Sequence, residues 1–108
     1  MAVMVWIHGG GFASRSSAKF PGYNDVIVVT FKYRLGILGF LNIPEKDQKG
    51  NYGMLDQIEA LRWVQANIAR FGADPKHVTV FGEGTGATSV ALHLISPKSK
   101  DLFQRAIM

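Results

Sequence analysis

Three short segments of this chain are apolar or β-branched at almost every position, without the alternation of a half-exposed strand. They read VMVWI at residues 3–7, VIVVTF at 26–31 and VTVF at 78–81. Unbroken runs of this kind are typical of strands that are covered on both faces, as in parallel sheets. Residues 105–108 predict a fourth strand.

The segment between the second and third strands carries a strong helical pattern. Its apolar residues recur at steps of three and four and form one stripe, made of Met54, Ile58, Leu61, Val64, Ile68 and Phe71. Asn51 is expected to cap the start of this helix, and Gly72 to end it in a left-handed conformation. Strands that alternate with helices indicate the α/β class, here a mainly parallel sheet with flanking helices.

A second helix is expected at residues 85–95, ended by Ser96-Pro97. Hydropathy predicts an inner face formed by Ala87, Val90, Ala91 and Leu94. The same pattern predicts that His93 lies on the outer face of this helix.

The composition excludes several classes of protein. Of the 108 residues, 47% are hydrophobic and 19% are charged, which is a globular balance. No apolar run reaches the ~20 residues of a membrane helix, so no membrane segment is expected in this chain. The net charge is +4, but the basic residues are dispersed, so nucleic-acid binding is not expected. The absence of cysteine excludes disulfides and thiolate metal sites, and neither a cofactor nor a metal is expected.

Two glycine-rich turns follow predicted strands. The first is HGGGF at residues 8–12, and the second, called the elbow below, is GEGTG at residues 82–86. Glycines let backbone N–H groups approach a ligand closely, and such donors can stabilise an oxyanion. Neither turn has the spacing of a nucleotide P-loop or of a dinucleotide-binding loop. The elbow keeps the frame of the G-x-S-x-G nucleophile motif through Gly82 and Gly86, but Gly84 takes the place of the serine.

These turns and the segments between them resemble the type-B carboxylesterase, or cholinesterase-like, family of α/β-hydrolases. The matching strings, in the family's order, are VMVWIHGGGF, DVIVVTFKYRLGILGFL, GNYGMLDQIEALRWVQANIARFGADPKHVTVFGEGTGA and SPKSKDLFQRAIM. Family members are several times longer, and both ends of this chain look like buried strands. The resemblance therefore implies that residues 1–108 form part of a carboxylesterase domain that is incomplete at both ends. It also implies a secreted, ER-lumenal or cell-surface protein.

The resemblance implies roles for residues of both turns. Gly10 and Gly11 correspond to the first oxyanion-hole donors, and the backbone N–H of Thr85 corresponds to the third. Gly84 stands at the nucleophile position, so no catalytic residue is intact. Glu83 corresponds to the family's elbow glutamate, either as a buried carboxylate held by hydrogen bonds or with an electrostatic role. The acidic residue and the histidine of the triad follow later in the family's chain order and are expected beyond this chain.

Hydroxyl side chains elsewhere in this chain are candidates to replace the missing serine as the nucleophile. The hydroxyl groups nearest the two turns belong to Thr85, Ser89, Ser14, Ser16 and Ser17. Replacement by any of them is disfavoured because a nucleophile needs a base within hydrogen-bond reach. His77 precedes a strand at the end away from the elbow, and His8 is expected to order the first turn rather than to accept a proton.

Arg34, in YRLG, and Asp56, in LDQ, are expected to form a buried structural ion pair. The family pairs an arginine and an aspartate at these two places. Both residues also lie in an apolar context, where a buried charge needs a partner.

Two functions are compatible with these features. The first is a non-catalytic member of the family, for which the resemblance implies an adhesion or recognition role with a protein partner. The second is a hydrolase that acts on a small-molecule carboxylic ester by serine acyl transfer, with Gly84 as an artefactual or recent change. An unrelated small binding domain is disfavoured because the resemblance covers nearly the whole chain.

Overall fold

A computed structural model describes residues 1–10, 25–41 and 50–108. Its strands lie at Ala2–Ile7 (β1), Val26–Thr30 (β2), Val78–Gly82 (β3) and Arg105–Ile107 (β4). Its α-helices lie at Gly36–Phe40 (α1), Tyr52–Asn67 (α2) and Thr85–Ile95 (α3), with short 3-10 helices at Ile68–Phe71 and Pro97–Ser99. The predicted strands and the two predicted helices are confirmed, whereas α1 was not predicted. None of the helices in these ranges is long and apolar enough to cross a lipid bilayer.

The strands form one parallel sheet in the order β2-β1-β3-β4. In the central strand, Val5 pairs with Val29 of β2 on one side and with Val80 of β3 on the other. Parallel neighbours need long crossover connections, and the helices of this chain lie in those connections. The prediction of an α/β fold with a mainly parallel sheet is confirmed.

The core lies on one face of this sheet. Val3, Val5 and Ile7 alternate along β1 with no exposed surface, and Val78 and Val80 extend the same face into β3. Helix α2, the 3-10 turn that follows it and helix α3 add to the same cluster Leu61, Val64, Ile68 and Val90. On the other face, Met4 and Trp6 are only half-buried. Among the described residues, the two central strands are therefore fully covered on one face only, not on both faces as the apolar strands predict.

The ends of α2 follow the sequence prediction only in part. Gly72 has a φ of 86°, so it ends the helical segment in the left-handed conformation that glycine favours. Asn51 precedes α2 as expected, but its φ of 57° is also left-handed and its side chain accepts no capping hydrogen bond. The apolar stripe stops early, because the chain tightens into a 3-10 turn and Phe71 is 60% exposed.

The buried face of α3 differs from the hydropathy prediction. The buried residues are Gly86, Ser89, Val90 and His93. Leu94 is 51% exposed, whereas His93 is only 2% exposed, so the predicted placement of both side chains is wrong. The reason is a polar partner, since the side chain of Gln57 on α2 hydrogen-bonds His93 in the interior.

Residues 1–108 alone are expected to aggregate rather than to melt cooperatively as a monomer. Among the described strands, β2 and β4 each have one unpaired edge, and parallel edges invite intermolecular pairing. Exposed apolar side chains add to this tendency, with Ile37 at 75%, Leu38 at 78% and Ile95 at 80% exposure. Calorimetry combined with size-exclusion chromatography provides the measurement. A sharp melting transition of a monomer would contradict the prediction.

Candidate functional site

The topology places a crevice between the ends of β1 and β3. Strand β2 pairs with one edge of β1, and β3 pairs with the other edge of β1 and leads on to β4. In open parallel sheets, ligands bind at the carboxyl ends of the strands where the strand order reverses in this way. Here the last pair is Ile7 with Gly82, and both glycine-rich turns begin at this point.

The elbow requires glycine because the backbones of β1, β3 and α3 come very close together. A Cβ added to Gly82 would lie 2.6 Å from the carbonyl carbon of Gly86 and 2.7 Å from the carbonyl oxygen of Ile7. A Cβ added to Gly86 would overlap that same oxygen of Ile7. The two outer glycines of the motif therefore allow the strand-to-helix turn to pack against β1.

The first turn lies directly against the elbow. A Cβ added to Gly9 would lie 2.7 Å from the carbonyl oxygen of Glu83 and 3.6 Å from the backbone nitrogen of Thr85. Gly10 follows at once and is half-buried. The structure thus brings Gly10 and Thr85, two of the three expected oxyanion-hole donors, to the same crevice. The third, Gly11, lies outside the described residues.

Gly84 occupies the tip of the elbow, at the N-cap of α3. Its backbone has φ 57° and ψ −125°, a sparsely populated conformation that costs a residue other than glycine about 1–3 kcal/mol. Among the described residues, no atom lies within 4 Å of a Cβ added to Gly84, so these residues leave room for a side chain here. The tip of the elbow is therefore a sharp strand-to-helix turn that glycine adopts readily and that carries no side-chain oxygen.

His8 and Tyr33 hold the start of the first turn. The Tyr33 hydroxyl donates a 2.6 Å hydrogen bond to the carbonyl oxygen of His8, and the two rings stack with centroids 4.4 Å apart. The Nδ1 of His8 lies 3.0 Å from the carbonyl oxygen of Gly9. Both side chains are buried, and burial raises the pKa of Tyr33. These contacts fit the expectation that His8 orders the turn.

Glu83 is exposed in this structure. Its carbonyl oxygen accepts a 2.9 Å hydrogen bond from the backbone N–H of Gly86, which closes the elbow. The interpretation of Glu83 as a buried carboxylate is therefore wrong for this chain, and its electrostatic role stays a prediction.

Neither the candidate nucleophile Ser89 nor the candidate base His77 is placed to react at the elbow. Ser89 has no exposed surface, and its Oγ donates a 3.0 Å hydrogen bond to the carbonyl oxygen of Thr85. His77 pairs with Asp74 at 2.9 Å just before β3, at the opposite end of that strand from the elbow. The serines of the loop after the first turn, Ser14, Ser16 and Ser17, lie outside the described residues.

Arg34 and Asp56 meet, but at the surface of this chain. The guanidinium donates from Nε and Nη2 to the two carboxylate oxygens at 2.8 and 2.7 Å, and the backbone N–H of Arg34 donates a third bond at 2.9 Å. The side chains are 52% and 26% exposed, so the pair is not buried in residues 1–108. The side-chain hydrogen bonds from Arg34 lower the pKa of Asp56. The pair joins the segment after β2 to α2, away from the reacting position.

Comparisons with known proteins match this chain along its whole length. A model of the carboxylesterase family matches residues 1–108. The cocaine esterase of Oryctolagus cuniculus is 51% identical over 113 residues, which cover 100% of this chain and 21% of that protein. Neuroligin-3 of Mus musculus is 52% identical over 111 residues, which cover 98% of this chain and 14% of that protein.

A solved structure of a PNB esterase superposes on this chain with a TM-score of 0.92 at 46% identity. The match covers 99% of this chain and 24% of the esterase chain. The chain thus spans about a fifth of the length of its esterase relatives. The described fold, the two glycine-rich turns and these matches agree, and the chain belongs to the carboxylesterase family, with the α/β-hydrolase fold.

Proposed function

We propose that this chain is a non-catalytic part of a carboxylesterase-family protein and acts in recognition of a protein partner. The observation that carries the proposal is Gly84 at the tip of the elbow, where the φ and ψ angles fit a nucleophile turn. Glycine has no side-chain oxygen, so no acyl-enzyme can form at this position. Ser89, the buried hydroxyl nearest to the elbow on α3, has no exposed surface with which to attack an ester.

The surrounding structure supports a chain that keeps its fold without its reaction. Gly82 and Gly86 still allow the close packing against β1, and Tyr33 still holds the first turn through His8. A scaffold of this kind presents ordered surface loops to a partner without any covalent chemistry. Relatives named as esterases and as neuroligins match almost equally, at 51% and 52% identity, so the residue at position 84 is the better guide to function.

A second candidate function is hydrolysis of a small-molecule carboxylic ester by serine acyl transfer, with Gly84 as an artefactual or recent change. The open space around a Cβ at Gly84 favours it, because a serine would fit there without a clash. In this function, Gly10, Gly11 and Thr85 hold the oxyanion through their backbone N–H groups. The acidic residue and the histidine of the triad come from a longer chain, of which residues 1–108 form one part that is incomplete at both ends.

The experiment uses the full-length protein encoded by the same gene, with its natural Gly84 and as the Gly84→Ser variant. Each protein is treated with a fluorophosphonate label and with a chromogenic short-chain ester. We expect no stoichiometric labelling of the natural protein. We also expect turnover no greater than the residual ~10³-fold over water that binding and oxyanion donors alone support. Melting curves of both proteins serve as the folding control.

The outcomes separate the two functions. Stoichiometric labelling of the natural protein would refute the proposal and would indicate a replacement nucleophile. Labelling and turnover in Gly84→Ser alone would show that the remaining machinery is intact, as the second candidate function requires. Inactivity of both folded proteins would support the non-catalytic role.

A further inference from the structure

A buried polar cluster lies directly behind the elbow, between α2 and α3. Its members are Gln57 on α2, Ser89 and His93 on α3, and Ser99 in the following 3-10 turn. Their exposed fractions are 0%, 0%, 2% and 1%. Buried polar side chains cost free energy unless they are hydrogen-bonded, so this arrangement needs a physical reason.

Three hydrogen bonds form one directed chain that ends at the elbow. The single hydroxyl hydrogen of Ser89 is donated to the carbonyl oxygen of Thr85 at 3.0 Å. The amide Nε2 of Gln57 therefore donates to Ser89 Oγ, at 3.2 Å, and its Oε1 is left as an acceptor. His93 lies with Nε2 2.8 Å from that Oε1, so the histidine ring must be the donor. Burial lowers the pKa of His93 and keeps its ring neutral, and this order places the single ring proton on Nε2.

The geometry ties α3 to α2 at two successive turns. Gln57 bonds Ser89 and His93, which are four residues apart and so lie on the same face of α3. A single hydrogen bond between the two helices would restrain α3 at one point. Two hydrogen bonds at successive turns restrain both the rotation of α3 about its axis and its shift along that axis. The carbonyl oxygen of His93 also accepts a 2.7 Å bond from Ser99 Oγ, which anchors the far end.

We propose that Gln57, Ser89 and His93 are positioning residues, whose hydrogen-bond chain fixes the first turn of α3 and thereby holds the elbow at Gly84 in place. An apolar trio of the same volume would pack in this interior at similar or lower free-energy cost. Directional bonds add orientation, and orientation is what a turn packed so closely that Gly82 and Gly86 leave no room for a Cβ beside Ile7 requires. The proposal goes beyond the function proposed above and holds whether or not the elbow carries a nucleophile.

The test is hydrogen–deuterium exchange of the full-length protein, read in peptides that cover residues 83–90. The amide protons of Gly86 and Thr88, bonded to the carbonyls of Glu83 and Gly84, report directly on the elbow. In Gln57→Met, which keeps the side-chain length but removes both hydrogen bonds, we expect these amides to exchange at least about tenfold faster. In Ser89→Ala we also expect these amides to exchange faster. Ser89→Ala is the smaller substitution, so it provides the test if Gln57→Met does not fold.

Gln65→Met is the matched control. Gln65 is also on α2 and also makes two hydrogen bonds, but it donates both of them, to the carbonyls of Pro75 and Leu102 rather than to α3. The Gln65→Met variant should speed amide exchange near Pro75 and Leu102 and should leave amide exchange in residues 83–90 unchanged. Selective ¹⁵N-histidine NMR provides an independent readout, in which the natural protein shows His93 with its proton on Nε2.

Three results would overturn the proposal. The first is unchanged exchange at the elbow in both Gln57→Met and Ser89→Ala. The second is equal acceleration of the elbow in Gln57→Met and Gln65→Met, which would indicate a general loss of stability. The third is an Nδ1–H tautomer of His93.

Discussion

Gly86→Ala is expected to destabilise the full-length protein by about 3 kcal/mol or more, or to prevent its folding. In an ordinary helix the same change would stabilise by up to ~1 kcal/mol, because glycine is a poor helix former. The sign is reversed here because the new Cβ would overlap the carbonyl oxygen of Ile7, which belongs to the backbone of the central strand. A backbone atom cannot rotate away as a flexible side chain can, so β1 and α3 must separate.

Gly84→Ala is the control for this prediction. Position 84 lies two residues earlier, no described atom lies within 4 Å of the added Cβ, and the substitution carries only the cost of the backbone conformation, about 1–3 kcal/mol. Thermal or denaturant unfolding of the two variants beside the natural protein provides the comparison. A Gly86→Ala variant as stable as Gly84→Ala would mean that the contact between β1 and α3 is looser than described.

Lowering the pH from 6.5 to 4 is expected to remove about 3 kcal/mol of stability through His93 alone. Burial lowers the pKa of this histidine from 6.5 to about 4, so the folded protein holds the ring neutral. Above pH 6.5 the ring is neutral in both states and contributes no pH dependence. Between pH 6.5 and 4 the unfolded chain binds a proton that the folded chain excludes, so stability falls as the pH falls.

His93→Gln isolates this contribution from other titrating groups, such as Asp56. Unfolding of both proteins is measured from pH 7.5 to pH 4.5. The natural protein should be the more stable at neutral pH, and its advantage should shrink steadily below pH 6.5. Parallel stability curves over this range would show that His93 does not titrate differently in the folded and unfolded states.

The sequence predicts the sheet and the helices well because their patterns are local. Residues 3–7 and 78–81 are apolar throughout, and Gly72 is a strong stop signal, so strands and helix ends follow from neighbouring residues. The prediction errors occur where contacts between residues distant in the sequence determine which side chains are buried. Leu94 faces solvent in this chain, and His93 is buried, because Gln57 lies 36 residues away in the sequence and offers a hydrogen bond that hydropathy cannot show.

In the candidate site, too, some features follow from the local sequence and others depend on the surrounding structure. Glycine spacing predicts the tight turn around Gly84, whereas the surface position of the Arg34–Asp56 pair depends on how much of the domain surrounds it. One signal could have indicated the cluster behind the elbow. Gln57 is four residues before Leu61, on the apolar stripe of α2, and a polar residue at such a position requires a buried partner.

The positive φ of Gly84 links the residue at the tip of the elbow to the free energy of folding. A serine at this position would hold its backbone in a conformation that costs about 1–3 kcal/mol. Glycine removes that cost. Its greater conformational freedom in the unfolded chain, however, lowers the free energy of unfolding by about 0.5–1 kcal/mol. The exchange of serine for glycine therefore has a net stabilising sign, opposite to that of most substitutions. In the non-catalytic function proposed above, glycine at this single position thus adds to the free energy of folding, whereas the serine that ester hydrolysis requires would subtract from it.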